Sequence, residues 1–175
     1  MKILETPRLI LRKMSVDDAA FMLTLLNDPS WLRFIGDRGV RTLDQARDYI
    51  LQGAMANYAR LGYGFYVVEL KEMGIAIGMC GLAKRDYLDD ADIGFAFLPD
   101  YCGHGYAFEA AVATLDFARD QLHLPRVVAT TRLDNLPSSK LLEKSGMRLE
   151  KKFSHPDGDR ELNLYAIDFD QCEQL

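Results

Sequence analysis

The stretch from Asp92 to Ala111 constrains this chain more than any other. It reads Asp-Ile-Gly-Phe-Ala-Phe-Leu-Pro, then Asp-Tyr-Cys-Gly-His-Gly-Tyr-Ala-Phe-Glu-Ala-Ala. An apolar strand is stopped by Pro99, and a glycine-punctuated turn opens straight into a helix. A helix begins with N–H groups that have no internal partner, and its dipole adds partial positive charge there. Gly103 and Gly105 strip that start of bulk and let the main chain approach a ligand, so the turn suits an anion such as a pyrophosphate. Alone, Gly-x-Gly equally describes a plain strand-to-helix connection, and Gly62-Tyr-Gly64 repeats the pattern elsewhere. The dinucleotide fingerprint Gly-x-Gly-x-x-Gly is absent, because Phe108 stands at its third glycine. No Gly-Lys-Ser or Gly-Lys-Thr of a P-loop occurs either.

The flanking chain supplies elements on both sides of this turn. Residues 6–13 alternate as a strand, with Pro7 near its start. Ser15 and Asp18 form an N-cap and acidic first turn for a helix whose face carries Ala19, Met22, Leu23 and Leu26. Residues 30–40, with Trp31, Phe34 and two glycines, read as an irregular or short helical loop. Thr42 and Gln45 make a capping box for a second helix that fades near Gly62. Phe65–Leu70 and Ile75–Ala83 form a hairpin through residues 71–74, and Ala91–Leu98 is the strand before the glycine turn. The helix after it, about Gly105 to Leu122, packs through Ala110, Ala111, Leu115 and Ala118. Then come a strand at Arg126–Thr131, a helix carrying Leu141 and Leu142 and closed by Gly146, and strands at Met147–His155 and Glu161–Phe169. This predicts an α+β fold, a mixed, mostly antiparallel seven-stranded sheet flanked by about four helices.

Composition narrows the function classes. The 175 residues are sufficient for one domain, 1–175, that buries about 70% of its unfolded surface. The net charge of −5 and the scattered basic residues give no support for a nucleic-acid partner. No apolar run approaches the roughly 20 residues of a membrane span, and the N-terminus lacks a signal-peptide apolar region, so cytoplasmic residence is expected and no membrane partner. Cys80, Cys102 and Cys172 are odd in number and widely spaced, which argues against a disulfide framework and against a zinc site; no metal is expected. His104, His123 and His155 form no triad pattern with a nucleophile.

Three segments together carry a resemblance. Pro-Asp-Tyr-Cys-Gly-His-Gly-Tyr-Ala-Phe-Glu-Ala is similar to the acyl-CoA pyrophosphate loop of the GNAT superfamily of N-acetyltransferases. Thr6-Pro7-Arg8-Leu9-Ile10-Leu11-Arg12 with Asp17-Asp18-Ala19 resembles the opening of the RimJ/RimL-type branch, which includes ribosomal-protein N-terminal acetyltransferases. Asn135-Leu-Pro-Ser138 through Gly146-Met147 resembles that branch's second signature. Two positions depart from the pattern: Asp100 stands where Gln or Arg is common, and Cys102 where this branch often has Trp.

The resemblance implies a direct transfer of acetyl from acetyl-CoA to a primary amine. The backbone of Gly103, His104, Gly105, Tyr106 and Ala107 would hold the pyrophosphate. N–H groups of Ala96, Phe97 and Leu98 would meet the thioester, and Asn135 the pantetheine arm. Asp92 is the candidate base, acting through water, since it shares a face with Ala96 but lies about 13 Å along the strand from it; a structural surface acid is the other reading. Many family members place a tyrosine where this chain has Leu142, so the candidate acid for the departing thiolate is Ser138, which also suits an N-cap or first helical turn. Glu109 reads as a carboxylate complementing the helix dipole. Trp31 and Phe34 either line the acceptor pocket or plug the core. A free N-terminus is the chemically easier acceptor: near neutral pH an α-amine is about a tenth uncharged, a lysine about one part in 2,500. A small-molecule or antibiotic amine is the rival acceptor, and an acyl-CoA-binding module without turnover is the rival class. A monomer or homodimer is expected.

Overall fold

The computed structural model describes residues 1–169. Eight strands form one sheet: β1 Lys2–Glu5, β2 Leu9–Lys13, β3 Phe65–Leu70, β4 Ile75–Ala83, β5 Asp92–Phe97, β6 Arg126–Arg132, β7 Arg148–Ser154 and β8 Glu161–Asp168, in the order β1-β2-β3-β4-β5-β6-β8-β7. Every neighbouring pair is antiparallel except β5 and β6. The mixed, mostly antiparallel sheet is as expected, with eight strands in place of seven. The additional one is β1. Residues 6–8 turn back to pair it with β2, and the Thr6 N–H donates to the Leu9 carbonyl.

The helices are α1 Ala19–Leu26, α2 Pro29–Phe34, α3 Leu43–Ile50, α4 Ala56–Leu61, α5 Tyr106–Asp120 and α6 Leu136–Lys144. α3 and α4 run on through a π-helical turn, Leu51–Met55, so the expected second helix is one rod ended by Gly62 in the left-handed conformation. Of the two readings of 30–40, irregular or short helical, its first part is the helical one: it lies in α2, with Asp28 capping the helix and Pro29 at its first position. The Thr42 hydroxyl accepts from the Gln45 N–H, but the Gln45 side chain accepts from the Arg41 N–H, one residue before the cap, so the expected box closes one residue out of register. Ser15 caps as expected and Asp18 goes further than an acidic first turn: the two close a full capping box around a 3-10 turn at Val16–Asp18.

α5 and α6 cover one face of the sheet and α1 to α4 the other. On the first face Leu9, Leu11, Val68, Ile77 and Ile93 pack against Ala110, Ala111, Leu115 and Ala118, the predicted stripe, with Leu142 of α6 beside them. On the second, Val67 and Met79 meet Met22, Leu25, Trp31, Ala46 and Ile50. The two faces alternate residue by residue along β3, as a pleated strand buried on both sides requires.

Candidate active site

The parallel junction of β5 with β6 is short. Asp92 pairs with Val128, whose N–H donates to the Ala91 carbonyl, and no further residue pair of these strands is in register. Both strands run in the same direction from that vertex, so the sheet opens between their C-terminal ends. α5 starts from the end of β5 and α6 from the end of β6. Both helix N-termini therefore lie at the mouth of the opening, an arrangement that sets positive dipole ends toward whatever enters.

The pairing of β5 with β4 decides which of its N–H groups are free. The ladder is regular from Gly78–Phe97 to Ala83–Asp92, and the Leu98 N–H continues it by donating to the Ile77 carbonyl at 2.9 Å. Alternation then turns the N–H groups of Asp92, Gly94 and Ala96 toward β4 and those of Ile93, Phe95 and Phe97 toward the open edge. Of the three expected thioester donors, only Phe97 faces the opening. Ala96 and Leu98 spend theirs within the sheet, a correction that follows from strand pairing. Phe95, which the sequence reading passed over, presents its N–H to the same edge. The clue was available in period-two alternation from Phe97.

The glycine turn follows a 3-10 turn at Pro99–Tyr101. Gly103 (φ +80°) and Gly105 (φ +81°) both adopt left-handed backbone, which an L side chain rarely tolerates, and Gly105 caps α5 without any side-chain bond. The Glu109 N–H closes the first helical bond on the Gly105 carbonyl at 3.0 Å. The preceding N–H groups of the turn have no helical carbonyl to meet. His104 is exposed, with its ring 5.7 Å from that of Tyr106. The Cys102 thiol packs back toward the Leu98 carbonyl at 3.6 Å, and burial pushes its pKa up.

Glu109 does more than complement a dipole. Its carboxylate accepts from the Thr6 hydroxyl at 2.6 Å, the Arg8 N–H at 3.2 Å and the Arg8 Nε at 2.9 Å. Burial would raise its pKa, but these donors outweigh that and hold it below the ordinary carboxylate value. Arg8 in turn donates to the His104 carbonyl at 3.0 Å and lies 4.5 Å from the centre of the Tyr106 ring. The N-terminal turn thus grips the glycine loop, through residues about a hundred positions away.

At the other lip, Asn135 caps α6 by accepting from the Ser138 N–H at 3.3 Å. Among the described residues, neither the Asn135 amide nitrogen nor the Ser138 hydroxyl has a hydrogen-bond partner, and Ser138 is half-buried. Leu142 lies deep in the core, 1% exposed, as an aliphatic replacement for a hydroxyl must. Arg33 at the end of α2 pairs with Asp134 at 3.6 Å, linking the second face to this lip.

Asp92 sits at the vertex, not at the mouth. It is 3% exposed, so the reading as a surface acid is wrong. Its Oδ2 accepts from Arg85 Nε at 3.2 Å, and its Oδ1 is buried without a partner. Burial raises its pKa, and Arg85 opposes that rise. Arg85 has no counterpart in the sequence reading; its position seven residues before Asp92, across a loop, carries no periodic signal. Trp31 is a core plug, 4% exposed, while Phe34 is half-buried under the Arg33 guanidinium. Cys80 is buried within 3.3 Å of the Thr114 hydroxyl, its thiol pushed up to about 12 by burial. Cys172 lies outside the described residues. Among the described residues His155, Asp157 and Asp159 approach within 4.8 Å of one another, in the β7–β8 turn and not in the opening. No helix among them is long and apolar enough to cross a membrane.

Comparison with known proteins places this architecture. The family described as Acetyltransferase (GNAT) domain matches residues 8–148. The uncharacterised N-acetyltransferase p20 of Bacillus licheniformis is 30% identical over 151 residues, covering 86% of this chain and 84% of that protein. A GNAT-family acetyltransferase structure from Bacillus anthracis superposes with a TM-score of 0.79 at 30% identity, covering 96% of this chain and 98% of that one. RimL, a ribosomal L7/L12 α-N-protein acetyltransferase solved with coenzyme A, shares the fold at a TM-score of 0.81 and 20% identity, covering 96% and 98%.

Proposed function

The chain belongs to the GNAT family of acetyltransferases, and from that we propose that it is an acetyl-CoA-dependent enzyme of RimJ/RimL type, one domain over 1–175, acetylating protein N-terminal α-amines. The observation that carries the cofactor reading is the single-pair junction of β5 and β6. The strands diverge where the N–H groups of Phe95 and Phe97 are unpaired, and the α5 start with its two left-handed glycines stands at the mouth. An extended amide-bearing arm fits such an edge as a strand would, and a pyrophosphate fits the helix start.

Acetyl-CoA supplies the activated acetyl group. The Phe97 and Phe95 N–H groups lie about 7 Å apart along the strand, so each meets a different acceptor: one is the preorganised donor for the thioester oxygen as negative charge develops there, and the other holds an amide of the arm. Asn135 donates from its free amide nitrogen to the pantetheine arm. Ser138, with its hydroxyl uncommitted, donates to the departing thiolate and takes its own proton back from water, a modest task because thiols ionise near pKa 8.5. Asp92 receives the amine's proton through water at its unpartnered Oδ1. Its raised pKa makes it a stronger base than a surface carboxylate, but Arg85 and burial keep it from close contact with the amine. Weak assistance of that kind suits an acceptor already partly neutral, which favours an α-amine over a lysine side chain.

The test is thiol release from acetyl-CoA across three acceptor groups: peptides with a free N-terminus, the same peptides N-blocked but bearing lysine, and small amines including polyamines and aminoglycosides. Turnover should concentrate on free N-termini. Turnover confined to small amines would overturn the acceptor assignment, and none at all with any acceptor would overturn the catalytic reading.

A further inference from the structure

Gly105 has no conformational preference of its own that fixes the peptide before it. Glycine populates positive and negative φ about equally, so the His104–Gly105 peptide unit could turn over by opposite rotations about ψ of His104 and φ of Gly105, the latter changing sign. In a trans peptide the carbonyl and the next N–H point in opposite directions. The structure holds one of the two arrangements. The His104 carbonyl accepts from Arg8 Nη1 at 3.0 Å, so the Gly105 N–H is directed away from Arg8.

Arg8 is itself held. Its Nε donates to Glu109 at 2.9 Å and its own N–H to the other Glu109 oxygen at 3.2 Å, which the Thr6 hydroxyl also reaches. Its guanidinium lies against the Tyr106 ring, and a Cβ built on Gly105 would come 3.3 Å from its Nη2. The fork is therefore seated on the loop from the side opposite the Gly105 N–H. Its charge is neutralised by Glu109, so its effect on an anion comes through the peptide it orients.

We propose that Arg8 is a positioning residue for phosphate recognition: it locks the His104–Gly105 peptide with the N–H, and not the carbonyl, toward the pyrophosphate. This rests on the acetyl-CoA reading above. Without Arg8 the peptide turns over freely, and a carbonyl oxygen faces the phosphate for part of the time. Thr6 and Glu109 serve the lock by holding Arg8.

Calorimetric titration of the full chain with CoA and with pantetheine, which lacks the pyrophosphate, separates this role from general packing. Arg8→Gln should weaken CoA binding about tenfold or more, the scale of one charge-assisted hydrogen bond, and pantetheine binding far less. Arg8→Lys keeps the charge but not the planar fork and should recover only part of the loss. Glu109→Gln, which leaves residue 8 intact, should show the same selective loss and serves if the Arg8 variants do not fold. Equal weakening toward both ligands, or unchanged CoA affinity in a folded variant, overturns the lock, as does full recovery by Arg8→Lys. A wild-type protein that binds CoA no better than pantetheine would overturn the phosphate-loop reading instead.

Discussion

A single carboxylate illustrates how the first thirty residues are pinned. Asp18 is 8% exposed, yet it receives two bonds from the Arg12 guanidinium at 2.9 and 2.8 Å and one from the Ser15 N–H at 2.9 Å. Burial alone would push its pKa up, but these donors outweigh that and leave it lowered. The folded protein therefore holds the ionised form more firmly than the unfolded chain does. That stabilisation is complete above the ordinary carboxylate pKa of about 4 and is lost as pH falls through the lower folded value. Asp18→Asn should cost about 2 kcal/mol at pH 7, and the gap from wild type should close as pH drops below about 4. Urea midpoints measured between pH 7 and pH 2.5 check this; a gap independent of pH would remove the ionic contribution. The cap at Ser15 and Asp18 was legible, because both partners lie within four residues. The Arg12 fork was not, since nothing in the spacing of residues 12 and 18 distinguishes a strand-to-helix contact from two surface charges. The same limit hid Arg85 from Asp92 and Arg8 from Glu109.

Elements were legible in proportion to their length and regularity. The helix at α5 and strands β3 to β6 and β8 carried enough apolar periodicity to be located within a residue or two, while β7, charged and nearly all exposed, was legible only from the turn at Pro156-Asp157-Gly158-Asp159 that pairs it with β8. β1 was missed because four residues on a sheet edge offer no alternation to read, and Thr6-Pro7-Arg8 looked continuous with β2 when it is the turn between them. α2 spans six residues, less than two turns, which is too short for a helical period to emerge. Close approach of strands also leaves a mark that sequence alone does not weigh. A Cβ on Gly81 of β4 would fall 2.2 Å from the Gly64 carbonyl oxygen and 2.7 Å from Phe65 Cα. Both are backbone atoms, which cannot rotate aside as a side chain does. Gly81→Ala should therefore destabilise by about 3 kcal/mol, read as a lowered urea midpoint, whereas Gly53→Ala, where the space is open, should not. Equal stability of the two variants would mean that β3 and β4 can separate without cost.

Across the whole molecule the sheet is continuous in order but nearly divided in hydrogen bonding. β1 to β5 form one ladder and β6, β8 and β7 another, joined by the Asp92–Val128 bridge and by α5 packing over both. The mixed topology was readable from the order of elements, but the divergence was not, because it is set by the absence of pairing between residues that look like ordinary strand. A ligand lying along β5 would close that gap from within. Bound CoA at one hundred times its dissociation constant should add about 2.7 kcal/mol, raising the melting temperature by about 5–10 °C. Amide exchange should slow at Phe95 and Phe97 more than in β2 or β3; uniform slowing would place the ligand elsewhere. The junction also bears on how long each copy persists in a cell. Proteases act on transiently opened chains, and a molecule whose weakest seam is sealed by its own cosubstrate opens less often when that metabolite is plentiful. The abundance of the enzyme would then follow the coenzyme A pool of the cell, through turnover and without any change in synthesis.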